Sequence, residues 1–89
     1  MYFVYIIQSL IDNNLYIGIT NDLKQRLKRH NSGQVNSTKH RAPFKFIYSE
    51  SLPNSIEARK REKYFKSGIG REFIKKTLLN QQPIREKIN

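Results

Sequence analysis

Residues 1–20, MYFVYIIQSLIDNNLYIGIT, decide the fold. Phe3 to Gln8 and Leu15 to Thr20 are rich in Ile, Val and Tyr, and Asp12, Asn13 and Asn14 between them are turn formers, so the stretch predicts an antiparallel hairpin. With a two-residue loop, either Asp12-Asn13 or Asn13-Asn14, odd positions of the first strand share a face with even positions of the second. Tyr5, Tyr16, Gly18 and Thr20 then lie together. Val4, Ile6, Leu15, Ile17 and Ile19 collect on the other face and form an aliphatic surface for the core. Tyrosine in a strand is ordinarily a packing residue, yet this pair falls on the more polar side, beside a glycine that leaves room.

Working outward, the hydrophobic period lengthens after Thr20. NDLKQRLKRHNSG opens on the capping residues Asn21 and Asp22 and closes at Gly33, which predicts a short basic helix. Gln34 to Ala42 is polar and reads as a surface loop, with His40 exposed on it, and Phe44 to Ser49 predicts a third strand between Pro43 and Pro53. A second helix is expected over Ser55 to Lys66, and a third over GREFIKKTLL with Phe73, Ile74, Thr77 and Leu78 on one side. The order ββαβαα predicts an α+β fold: a small three-stranded antiparallel sheet flanked by helices. Residues 1–80 are expected to form one domain and 81–89 a polar C-terminal tail.

Seventeen Lys and Arg against seven Asp and Glu leave a formal charge of +10, a field that draws polyanions by diffusion, nucleic acid foremost. The chain has no cysteine, which excludes a disulfide framework, a thiolate nucleophile and a cysteine zinc site, and leaves a hard cation such as magnesium as the expected metal. Residues 1–10 carry no basic leader and no segment reaches membrane-spanning length, so a soluble cytoplasmic protein is expected.

Polar residues occupy stripes where a core would be expected. In the first helix Leu23, Arg26, Leu27 and His30 stand at i, i+3, i+4 and i+7. Arg26 is explained either as a snorkelling edge residue or as an inward cation, and His30 either as a dipole-stabilised C-terminal residue or as a site residue. In the second helix Glu62 shares a stripe with Ala58 and Phe65, although it can also pair with Lys66, whereas Glu57 has Arg61 four residues on as an exposed partner. Two phenols, an inward Arg and His, and one carboxylate in a cationic domain are parts for phosphodiester hydrolysis. That reaction needs a proton acceptor, positive charge for the phosphoryl oxygens and a metal. One carboxylate can hold Mg²⁺ when waters and phosphate complete its octahedron, and the Arg fork matches two phosphate oxygens. A tyrosine with an ordinary pKa of about 10 needs nearby cations or metal-bound water to act as a base.

Taken as a set, VYI at Val4 to Ile6, YIG at Tyr16 to Gly18, Arg26, His30 and EARKRE at Glu57 to Glu62 resemble the GIY-YIG nuclease superfamily, its small single-domain bacterial members in particular. The resemblance runs from Tyr2 to about Leu79. It implies an endonuclease that cleaves DNA with a single divalent metal ion, Mg²⁺ or Mn²⁺, in repair or recombination. Tyr16 would match the general base, Tyr5 the tyrosine that positions it or the attacking water, and Arg26 the phosphate-stabilising residue. His30 would match an auxiliary or proton-relay residue, and Glu62 the metal ligand. Val4 replaces the glycine of the first motif, and Asn80 is the nearest candidate for the family's downstream asparagine, which is left outside the expected site. Larger family enzymes add a DNA-binding or partner-binding domain, so specificity is expected from substrate shape or from a protein partner.

Lys24, Lys28, Arg29, Lys39, Arg41, Lys60 and Lys63 are the expected phosphate contacts, which give affinity without sequence readout. The alternative is a non-catalytic nucleic-acid-binding module of the same fold. A third reading, a basic ribosome-associated or protein-binding domain, is discriminated by preference for structured RNA or protein over DNA.

Overall fold

The structure, a computed structural model, describes residues 1–79. Strands β1 (Tyr2–Ser9), β2 (Leu15–Thr20) and β3 (Phe44–Leu52) form an antiparallel sheet in the order β2-β1-β3. Helices α1 (Leu23–Asn31), α2 (Ser55–Lys66) and α3 (Gly68–Phe73) follow the expected ββαβαα order, and a π-helical segment, Ile74–Leu79, continues α3. Asn80 lies outside the described residues, as does the expected tail over 81–89. No helix among the described residues is long and apolar enough to cross a membrane.

The hairpin register pairs Tyr5 with Gly18 and Ile7 with Tyr16, so the expected face assignment holds. Its turn, however, is longer than the predicted two residues. Ser9 and Asn14 pair across it, the amide of Ser9 donating to the Asn14 carbonyl at 2.9 Å, which leaves Leu10 to Asn13 as the loop. Ser9 Oγ accepts from the amides of Ile11 and Asp12, and Asn13 takes φ 64°, a conformation asparagine tolerates. Four residues and two have the same parity, so neither strand turns over.

Alternation along the strands builds two separate apolar layers. Val4, Ile6 and Ile17 pack with Ala58 and Phe65 of α2 and with Ile74. Tyr5, Ile7 and Phe44 pack with Leu23 and Leu27 of α1 on the opposite face. A bulge in β3 makes this division work. Ile6 pairs with Tyr48 but Ile7 with Phe46, so Ile47 is the extra residue and the facing of β3 reverses there. Phe44 therefore joins the α1 layer while Tyr48 joins the α2 layer.

Both long helices start where the sequence predicts. Asp22 caps α1 by accepting from the Gln25 amide at 3.1 Å, and Asn54 caps α2 by accepting from the Glu57 amide at 2.9 Å. Gly33, at φ 78°, follows the end of α1. Two expectations are corrected. Arg61 turns from Glu57 to Glu50 on β3, with bonds of 2.6 and 3.2 Å, and its guanidinium lies over the Tyr64 and Phe65 rings; Glu57 pairs with Lys60 instead. In α3 the buried side is Gly70 and Ile74, with Leu78 half-buried, while Phe73 and Thr77 are exposed. Gly70 sits against the backbone of α2, where an added Cβ would meet Phe65 Cα at 2.6 Å, and this close approach sets which side of α3 faces inward.

Candidate active site

Tyr5 occupies the middle of the central strand, with its side chain in the α1 layer and only 1% exposed. Across the ladder Gly18 leaves the space that its phenol fills: a Cβ there would lie 2.6 Å from Tyr5 Oη and 2.9 Å from Tyr16 Cε1. Tyr16, half-buried, places its ring centroid 6.2 Å from that of Tyr5. His30, brought in from the last turn of α1 and fully buried, sets its ring edge-on at 5.7 Å from Tyr5 and 4.9 Å from Tyr16. Tyr5 Oη and His30 Nε2 are hydrogen-bonded at 2.8 Å, and His30 Nδ1 is bonded to Thr38 Oγ1, also at 2.8 Å. A Gly18→Ala protein has to displace one of the two phenols, and is expected to lose about 1–3 kcal/mol of stability by chemical denaturation. An unchanged midpoint would show that the phenols have slack.

Burial and charge hold this centre neutral. Burial raises the Tyr5 pKa above its ordinary value, Tyr16 and Glu62 reinforce the shift, and Arg26 opposes it. Burial also pushes His30 down to about 4, with Arg26 and Arg29 adding to the effect. Near pH 7 Tyr5 keeps its proton and His30 is uncharged. The charge of Arg26 acts on both groups; the residue is half-buried, and it has no acidic partner within ion-pair distance among the described residues.

Glu62 lies on α2, the helix on the other sheet face, and its charge is the smallest of the influences on Tyr5. Its side chain is 26% exposed and its Oε2 accepts from Lys66 at 3.1 Å. Oε1 makes no hydrogen bond within the protein among the described residues, so the second oxygen is available. The described residues hold no group of three or more His, Cys, Asp and Glu side chains arranged for a metal. A single available carboxylate oxygen at a half-exposed position nevertheless fits a hydrated Mg²⁺, which retains most of its waters and takes one or two carboxylates.

The expected phosphate contacts divide by environment. Lys24, Lys28, Arg29, Lys39 and Lys63 are exposed, and Gln25, Lys28, Arg29, Ser32 and Gln34 line a polar pocket along α1. Lys60 is tied to Glu57 at 3.4 Å. Arg41 is half-buried, bound to Asp12 at 3.2 Å and lying over the Phe44 ring, where it fastens the loop before β3 to the hairpin turn. His40 is exposed, as expected. Thr38 is the residue that sequence reasoning missed: it looked like one more polar loop residue, and no local pattern marks its contact with His30.

This geometry has a family. A model of the GIY-YIG catalytic domain matches residues 1–75. The chain belongs to the GIY-YIG catalytic domain family. Within that family it is similar to UPF0213 proteins: one from Clostridium perfringens is 38% identical over 88 residues, 98% of this chain and 91% of that protein. YsiG of Lactococcus lactis, also a UPF0213 protein, is 40% identical over 87 residues, 97% of this chain and 82% of its own length. The solution NMR structure of a UPF0213 protein from Bacillus halodurans superposes with a TM-score of 0.54 at 30% identity, covering 98% of this chain and 94% of that one. The GIY-YIG domain is a nuclease-type fold, and its three-stranded sheet carries Tyr5 and Tyr16 on adjacent strands here.

Proposed function

We propose that this GIY-YIG protein is a divalent-metal-dependent endonuclease that hydrolyses DNA phosphodiester bonds. The observation that carries the reading is the half-buried Arg26, without an acidic partner among the described residues, whose charge acts on the buried Tyr5 phenol and on a neutral histidine in a chain of charge +10. A half-buried arginine lacking a protein anion is suited to an anionic ligand, and its planar fork matches two phosphoryl oxygens. Tyr5, protonated and bonded to His30, acts as a positioning hydroxyl. Tyr16, the less buried phenol, is the one that meets solvent; it releases its own proton to solvent and then takes the proton from the attacking water. His30 holds the phenols in place as an uncharged auxiliary. Glu62 would hold the divalent ion, Mg²⁺ or Mn²⁺, which when bound would supply polarisation of the phosphoryl group and stabilisation of the leaving oxygen. The exposed Lys24, Lys28, Arg29, Lys39 and Lys63 hold the strand through its phosphates, with substrate shape or a protein partner choosing the site. A cytoplasmic role in DNA repair or recombination fits this reading.

The deciding experiment incubates the protein with supercoiled plasmid, single-stranded and branched DNA, with Mg²⁺ or Mn²⁺ and with or without EDTA. Nicking that EDTA stops is expected, with binding that weakens steeply as salt rises. Tight, salt-sensitive binding without cleavage of any substrate would replace the proposal with a non-catalytic nucleic-acid-binding module.

A further inference from the structure

We propose that Thr38 is a positioning residue that holds His30 as the Nδ1–H tautomer, leaving Nε2 to accept from the Tyr5 hydroxyl. Thr38 lies in the loop between α1 and β3, yet it is 1% exposed. Its backbone is pinned on both sides: its amide donates to the Val35 carbonyl at 3.0 Å, and its own carbonyl accepts from the Arg41 amide at 2.9 Å. The hydroxyl is thereby presented to the imidazole.

Proton accounting selects the tautomer. The buried Tyr5 phenol has one proton to place; Tyr16 is also near enough to bond it, but the fully buried acceptor at good hydrogen-bonding geometry is His30 Nε2, 2.8 Å away. Nε2 must then carry a lone pair, and the ring proton sits on Nδ1, facing Thr38 Oγ1 at 2.8 Å. Thr38 Oγ1 accepts it and directs its own hydrogen to the Val35 carbonyl at 3.4 Å. In this arrangement each of the three protons has an acceptor. The opposite tautomer turns Nε2 into a donor, sends the Tyr5 proton to the neighbouring Tyr16 hydroxyl, and makes Thr38 Oγ1 give up the Val35 carbonyl to donate to Nδ1. Neutrality of both Tyr5 and His30, enforced by burial, is what makes the choice of tautomer matter. Because the His30 ring also lies edge-on to Tyr16, losing the Thr38 anchor frees it to turn against both phenols.

The functional consequence rests on the active centre proposed above, but the tautomer is measurable without cleavage. The experiment records imidazole ¹⁵N shifts at pH 7 in the histidine-labelled full chain and in Thr38→Val and Thr38→Ser, alongside DNA binding and plasmid nicking. The expected result is an Nδ1-protonated, Nε2-unprotonated His30 in the wild type. Thr38→Val should show mixed tautomers and a nicking rate lower by about tenfold, the scale of one ordinary hydrogen bond, with DNA affinity unchanged. Thr38→Ser, which keeps the hydroxyl, should restore both. An Nε2-protonated His30 in the wild type, which requires no variant to fold, would overturn the proposal, as would a Thr38→Val protein with an unaltered tautomer. If no form cuts DNA, the nuclease reading fails while the ¹⁵N shifts still decide the role of Thr38.

Discussion

Arg26→Ala should cut DNA about 10²–10³-fold more slowly than the wild type, the usual cost of removing one preorganised charge from a developing anion. Arg26 is the cation that acts on both Tyr5 and His30 and has no acidic partner among the described residues. Its loss therefore removes phosphate stabilisation without orphaning a buried carboxylate, and the fold should survive. DNA affinity should fall modestly, with a salt slope shallower by about one contact. A second readout is independent of chemistry: with that cation gone, the pKa of His30 should rise from about 4, because Arg26 is one of the groups that depress it. The rise should be partial, since burial is the larger cause. Arg26→Lys should remain strongly impaired, because a point charge does not reproduce the fork. Single-turnover cleavage and a histidine NMR titration check the two arms. Cleavage within threefold of wild type would remove Arg26 from the transition state.

Tyr16→Phe should be comparably damaging, lowering the rate by about 10²–10⁴-fold, the range for a lost general base. The substitution keeps the aromatic ring that packs against His30 and Tyr5, so thermal stability should stay within about 1 kcal/mol of wild type. Tyr5→Phe behaves differently. It deletes the hydroxyl bonded to His30 in a buried centre, so it should cost stability as well as rate. If Tyr5→Phe abolished cleavage while Tyr16→Phe remained active, the buried phenol would have to be the base, against the burial that keeps it protonated.

Much of this site was legible in the chain because its residues are placed by local periods. The face shared by Tyr5, Tyr16 and Gly18 followed from strand alternation, and it survived an error in turn length because four and two have the same parity. Asp22 announced α1 by capping chemistry, which involves residues three apart. Arg26 and His30 were placed by helical spacing, and the structure puts His30 against the phenols through a bond spanning 25 positions.

Other features were illegible for one shared reason. Arg61 had Glu57 within reach on its own helix, and only the packing of α2 over β3 presented Glu50 with better geometry. Gly70 determined the inward side of α3 through a backbone approach to α2 that hydrophobic spacing does not encode.

The sequence by itself determined the elements, their order, the faces of β1 and β2, and the residue types available for phosphate chemistry, because alternation, capping and charge are properties of neighbours. Only the tertiary structure decided that β3 bulges at Ile47, sending Phe44 to one layer and Tyr48 to the other, and that a loop threonine reaches His30. Both depend on how far apart the packed elements come to rest. That distance is set by side-chain volumes across layers, which no run of neighbouring residues records.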